Sequence, residues 1–266
     1  MIYINKYLPV FKIYMKELLV YRGSFVLRIL LSILSDLIFI FVWIAVYMSS
    51  NISSLNGITL TGMIIYFFVL GSLNYMQYPE IAEIIQETIR SGEINNYLIR
   101  PIKYSYSIFI SILPENIIFL LFELIPVLIL IYLLAGLHIS LINIIIFAIE
   151  VVIAFAIITL IGFIIGSLSI YITNIYGIIN GINSIFFVGG GGMIPLILYP
   201  KIIYNILMLT PLPYLYFIPA ATFVGLIPTS ELPGILLIGV IWIAVLMLLA
   251  KFAWSKASKD MNVVGV

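Results

Sequence analysis

Four carboxylates stand inside otherwise apolar runs of this chain: Asp36, Glu115, Glu123 and Glu150. An ionised group near a bilayer centre costs roughly 2.5–3.5 kcal/mol on the mildest insertion scale, so acids so placed are by default candidates for contact with a substrate or a proton. A neutral acid hydrogen-bonded to the nearby Tyr, Ser and Asn side chains is a structural tie instead. The four residues therefore read as pathway groups or as bonds between helices. Pro114-Glu115 and Glu123, close to Pro126, put two of them on one helix. Their eight-residue spacing is about 12 Å at the helical rise.

Other chemistries leave no trace. There is no Gly-Lys-Ser/Thr phosphate loop, no His/Cys/Asp/Glu set at metal-ligand spacing and no Ser/His/Asp combination. His138, the only histidine, falls in a short loop and is expected to do no chemistry. Gly189, Gly190, Gly191 and Gly192 follow Gly181 and precede Pro195. Glycine weakens a helix and lets backbones approach, so this run is either a tight helix contact or a break near the outer end of a pathway. It lacks the strand-turn-helix setting and the lysine of a nucleotide loop.

The positions of these groups depend on the one long charged interruption, residues 79–103. Glu80, Glu83, Glu87, Arg90, Glu93, Arg100 and Lys103 lie within it, and a segment so charged belongs in water. Pro79 suits the start of a helix, Glu80 and Glu83 complement its dipole, and Gly92 closes it after Ser91. Glu80, Glu83, Glu87 and Arg90 then share one face, with Ile81, Ile84, Ile85 and Thr88 on the other. A second short helix, residues 93–99, is stopped by Arg100-Pro101.

The 266 residues are 64% hydrophobic and 9% charged, with mean hydropathy +1.27. A soluble globular domain is excluded on composition. The expected fold class is all-α, a polytopic membrane protein of one domain, residues 1–266. Six apolar stretches are long enough to cross about 30 Å of hydrocarbon, near 25–49, 59–78, 105–135, 141–170, 175–198 and 234–254. Residues 5–22 form an amphipathic helix suited to lie in the headgroup layer, with Lys12 and Lys16 on one face and Leu8, Phe11, Met15, Leu18 and Leu19 on the other.

Lys and Arg set the orientation. With the N-terminus inside, Lys6, Lys12, Lys16, Arg22, Arg28, Arg90, Arg100, Lys103, Lys251, Lys256 and Lys259 are all cytoplasmic, and Lys201 alone is outside. Positive-inside bias places both termini in the cytoplasm of a cell-membrane protein. The basic residues preceding the first long apolar run argue against a cleavable signal peptide. The net charge of +1 and the lack of a dense basic cluster give no footprint for nucleic acid. No cysteine is present, so there is no disulfide and no thiolate metal site.

Residues 199–233 are too apolar for a solvated loop yet are broken by Pro211, Pro213, Pro219, Gly225, Pro228 and Pro233. A single straight span is not expected there. Two short re-entrant helices dipping into the outer leaflet fit better, since irregular backbone at that depth needs cover from protein or a water-filled cavity.

The order of these parts resembles an ABC exporter permease whose ATPase is a separate polypeptide, closest to the daunorubicin-type permeases of the ABC-2 family of transporter proteins. The likeness covers nearly the whole chain. Its most specific residues are Arg90-Ser91-Gly92-Glu93-Ile94 and Leu98-Ile99-Arg100-Pro101, similar to the coupling-region pattern R-S-G-E-I-x-x-x-L-x-R-P. Pro211-Leu212-Pro213, Ile218-Pro219-Ala220 and Gly225 are a weaker match. The resemblance implies coupling roles for Glu87, Arg90, Gly92, Glu93, Arg100 and Pro101. It also implies a docked ABC ATPase that binds ATP and Mg, no cofactor in this chain, and a second permease chain, identical or related. The pathway would open between the two permeases.

Two readings of other classes compete. An ion-coupled secondary transporter would use Asp36, Glu115, Glu123 and Glu150, although residues 1–135 and 136–266 show no inverted repeat. An intramembrane lipid-modifying enzyme or an assembly factor is the other, and an enzyme would need polar groups converging on one face.

Overall fold

The computed structural model describes residues 7–74, 78–98, 103–135, 141–172 and 175–264. Within them are eleven α-helices: α1 Leu8–Val20, α2 Arg22–Ser50, α3 Leu60–Asn74, α4 Tyr78–Arg90, α5 Ile94–Leu98, α6 Tyr104–Ala135, α7 Leu141–Ser167, α8 Tyr176–Gly189, α9 Lys201–Met208, α10 Phe217–Val224 and α11 Leu232–Val264. Short 3-10 turns cover Leu168–Ile170, Leu196–Leu198 and Leu212–Leu215. The chain is a helical membrane protein. Arg22–Ser50, Ile142–Ile170 and Leu232–Asp260 are each long and apolar enough to cross a membrane, and Leu60–Leu73 and Tyr176–Gly189 are shorter apolar helices. Each of the six expected stretches overlaps one helix, α2, α3, α6, α7, α8 or α11, and α8 ends at Gly189, short of the expected 198.

The core sits on α3, α7 and α10. Met63, Tyr66, Phe67 and Val69 of α3 are buried together with Ile157 of α7 and Ile218 and Ala220 of α10. A helix apolar on every side belongs at the centre of a bundle, and α3 is such a helix. α2 instead leaves Leu27, Leu30, Leu31, Leu34, Ile38 and Phe41 exposed as a stripe, which suits lipid rather than water.

One element departs from pure helix. Ser54–Leu55 and Ile58–Thr59 pair as a two-stranded antiparallel hairpin, β1 and β2. Asn56 and Gly57 at its turn have φ of 45° and 87°, the left-handed values an Asn-Gly turn favours. The Tyr47 hydroxyl donates to the Ile58 carbonyl at 2.8 Å, and the Asn56 side-chain amide donates to the Ile197 carbonyl at 3.0 Å. This hairpin marks the end of the bundle opposite α4.

α1 packs on α6 through one side. Phe11, Met15 and Leu18 are half-buried, as an amphipathic helix requires, while Leu8 and Leu19 stay exposed. The proline-rich segment holds two short helices, and they differ. All of α10 from Phe217 to Phe223 is buried, against α3 and α7, whereas α9 has no buried residue. Pro219 falls in the first turn of α10, where its missing N–H costs no helical bond. Gly225, at φ 80°, then closes the helix, with its N–H on the Thr222 carbonyl and the Leu226 N–H on the Ala221 carbonyl.

Candidate functional site

The charged connector folds as two helices. α4 carries Glu80 in its first turn and Arg90 in its last, each matched to the dipole at its end. Gly92, at φ 75°, turns the chain into α5. Glu83, Glu87, Arg90, Ser91 and Glu93 are exposed, while Ile81, Ala82, Ile85, Thr88 and Ile89 are buried. Arg100 and Pro101 lie outside the described residues. The connector thus shows a continuous charged surface on one side and seats an apolar one on the bundle.

That seat is α7. A Cβ built on Gly166 would stand 2.8 Å from the Ile85 Cβ and 3.2 Å from the Ala82 Cα. Only glycine allows the two helices so close. Beyond α4, a row of rings carries the connector toward the last helix. Tyr97 meets Tyr104 at 5.0 Å between centroids, Tyr104 stacks on Trp254 at 5.0 Å, and Trp254 meets Phe163 at 5.2 Å. Such pairs add about 0.5–1.5 kcal/mol each beyond the area they bury.

The four acids are spread over α2, α6 and α7. Asp36 of α2 is buried over Gly71 of α3, so close that a side chain there would collide with its carboxylate. Glu123 lies two turns beyond Glu115 on α6. Glu150 of α7 is 1% exposed. The Thr222 hydroxyl of α10 donates to its Oε1 at 2.9 Å, while its Oε2 has no hydrogen-bond partner among the described residues. Glu150 therefore ties α7 to α10, the helix held in the proline-rich segment.

Glu115 lies in a cleft of about 430 Å³ between α1, α2, α4 and α6. Arg28 Nη2 meets Glu115 Oε1 at 2.5 Å, and Arg28 Nη1 lies 3.9 Å from Glu80 Oε1. Glu80 thus turns away from the outward face shared by Glu83, Glu87 and Arg90, because the first turn of α4 lies beside α2 and α6. Burial in the cleft, and then the neighbouring Glu115 carboxylate, push the Glu80 carboxyl up to about 7 against the pull of Arg28. Neither Arg28 nor Glu80 stands out as a site from the sequence pattern. The available signal was Arg28 itself, a cation two turns into a long apolar helix, which the sequence reading counts only for orientation.

The glycine run does two things at once. Gly189 ends α8, and Gly190 to Gly192 form a bend at which backbones nearly touch. The Tyr66 hydroxyl donates to the Gly191 carbonyl at 2.7 Å and the Phe217 N–H to the Gly190 carbonyl at 2.9 Å. Gly191 has φ 88°, and a Cβ on it would stand 2.9 Å from the Phe217 Cβ. The run is both a break and a tight contact, between α8, α3 and the start of α10. Pro211 precedes the adjoining 3-10 turn and Pro213 lies within it, where Pro213 and Tyr214 are buried. The Tyr214 hydroxyl donates to the Ile235 carbonyl of α11 at 2.7 Å.

No curated protein matches the chain. A family model described as ABC-2 family transporter protein matches residues 30–265, which take in every helix from α3 to α11 and most of α2. A domain of this kind is not itself a catalytic ATPase, and the family implies association with an ABC ATPase at a membrane. The chain belongs to the ABC-2 family of transporter proteins and is an ABC transporter permease.

Proposed function

We propose that the chain is the membrane-spanning permease subunit of an ATP-driven exporter, with six spans and both termini in the cytoplasm of a cell-membrane protein. ATP and Mg²⁺ are bound on a separate ATPase chain, and two permease chains enclose the pathway. The observation that carries this reading is α4, charged and exposed on one side and seated through Ala82 and Ile85 on Gly166 of α7 on the other. Glu87, Arg90 and Glu93 form the exposed coupling surface around the Gly92 turn, and the family pattern assigns the same role to Arg100 and Pro101, outside the described residues. A soluble motor that grips this surface differently in its two nucleotide states shifts the conformational balance of the permease.

α7 gives that shift a route. Gly166 meets the connector and Glu150 meets Thr222 of α10. Sixteen residues of one helix separate the two contacts, about 24 Å at the helical rise. A rigid helix displaced at one end moves the other. The proline-rich helices and the glycine bend are the elements that answer to it.

Co-purification with the cognate ATPase tests the reading. Arg90→Glu combined with Glu93→Lys is expected to lose ATPase association and ATP-dependent efflux together. Intact association and efflux in that double variant sink the coupling role. A cysteine at Ser91, unique in this chain, is expected to resist an impermeant thiol reagent on intact cells and to react in inverted vesicles. Transport that collapses with a proton or sodium gradient at constant ATP would instead favour a secondary transporter.

A further inference from the structure

We propose that Arg28, Glu80 and Glu115 form a proton-sensitive clamp at the inner end of the bundle, in which Arg28 is the positioning residue that fixes the connector helix to α2 and α6. The inference rests on the coupling role given to α4 above and adds a control on its seating.

The geometry is one guanidinium between two carboxylates from different elements. Arg28 of α2 holds Glu115 of α6 at 2.5 Å and reaches Glu80 of α4 at 3.9 Å. The tight pair is the deeper one: the Glu115 side chain is 17% exposed and that of Glu80 42%. Arg28 neutralises one carboxylate, so an ionised Glu80 leaves one negative charge in excess. The groups that face Glu80 do not offset it. α1 and the residue after it contribute Tyr14, Glu17 and Tyr21 to the cleft, the exposed Glu83 of α4 adds repulsion from outside it, and Arg28 is the only cation lining it among the described residues. Like charges at this range disfavour ionisation, as does partial removal from water.

Two states of α4 follow. With Glu80 protonated, Arg28 and Glu115 form a neutral pair and the first turn of α4 sits against it. With Glu80 ionised, it repels Glu115 and Glu83, and the first turn is drawn toward water. The sign follows from linkage. In the seated state the carboxyl titrates near 7, raised from 4.5, and in water it returns to its ordinary value. The seated connector therefore holds one more proton between these limits. That preference is complete below the ordinary value and is lost as pH rises through about 7. Release of α4 expels the proton to the cytoplasm, and acidification reseats the helix.

The test uses the whole chain in lipid nanodiscs without any ATPase, carrying spin labels on Ser91→Cys and Lys16→Cys. Both positions are exposed and neither belongs to the clamp. Pulsed distance measurements are expected to show a longer, broader distribution at about pH 8.5 than at about pH 5.5, with a midpoint near the Glu80 value. Glu80→Gln is expected to give the short distance at both. Arg28→Gln is expected to move the midpoint up by about one unit or more, the usual effect of removing an opposite charge at this range, while Arg28→Lys restores it. A purely structural arginine would lower stability and leave the midpoint in place. Equal distributions at both pH values, or a pH response that survives Glu80→Gln, overturns the clamp. Because no ATPase is present, loss of ATPase association in other experiments sinks the permease reading without touching this result. Glu80→Gln alone decides the question if Arg28→Gln does not fold.

Discussion

Gly166 of α7 and Ile85 of α4 lie so close that a Cβ on the glycine would stand 2.8 Å from the isoleucine Cβ. The contact joins the strongly charged internal segment to the most buried of the three helices that are long and apolar enough to cross a membrane among the described residues. Gly166→Ala forces the two helices apart, and overpacking of this kind costs about 1–3 kcal/mol. The expected result is a lower melting temperature in detergent and weaker ATPase stimulation, both partly restored by adding Ile85→Ala. An unchanged melting temperature would show that the helices are not this close.

In the middle of α3, Tyr66→Phe removes the donor to the Gly191 carbonyl. A buried acceptor left without its donor costs about 1–3 kcal/mol. Gly191→Ala adds a left-handed φ and a collision with Phe217, so it is expected to destabilise more than Tyr66→Phe. Denaturant titration of the two variants checks the order, and the reverse order contradicts the bend described.

Glu150 and Thr222 are suited to a double-mutant cycle. Thr222→Val, Glu150→Leu and their combination are expected to be non-additive, with an interaction of about 0.5–3 kcal/mol as found for residues in contact. Additive losses would mean that α7 and α10 are not tied there. If the tie transmits motion, Thr222→Val also uncouples ATP hydrolysis from efflux while the ATPase stays bound.

Trp254→Ala removes two ring contacts, with Tyr104 and with Phe163. At about 0.5–1.5 kcal/mol for each pair, the loss is expected to loosen α11 from the start of α6. Hydrogen exchange around residues 103–107 and 250–257 is the measurement. Trp254→Phe, which keeps a ring, is expected to retain most of the protection, and equal exchange in the Ala variant rejects the stack as a link.

The connector was legible because its physics is local. Pro79, Gly92 and the alternation of Glu83, Glu87 and Arg90 with Ile81 and Ile85 specify two short amphipathic helices without help from the rest of the fold. The proline-rich segment was legible in part: its prolines and Gly225 required a broken chain, and two short helices are there. That α10 is engulfed and α9 is not could not be read, since both are apolar. The Asn56-Gly57 hairpin was not read from the sequence, although Asn-Gly is a strong local hairpin signal.

The acids were the least legible. Within uniformly apolar helices such as α3 and α7 no face differs from another, so a residue's neighbours cannot be inferred from periodicity. Asp36, Glu115 and Glu150 were visible as charges in the wrong solvent, but not that one rests on Gly71, one takes Arg28 and one takes Thr222.

Composition and charge placement alone determined that this chain lives in a bilayer and where its charged elbow lies, with Glu83, Glu87 and Arg90 on display, because transfer from water to hydrocarbon depends on residue type and not on partners. The tertiary structure alone decided which helix the elbow rests on and that Glu80 turns inward to Arg28. Those depend on how helices with no distinguishing face fit against one another, and that is settled by close contacts such as those at Gly166, Gly191 and Gly71.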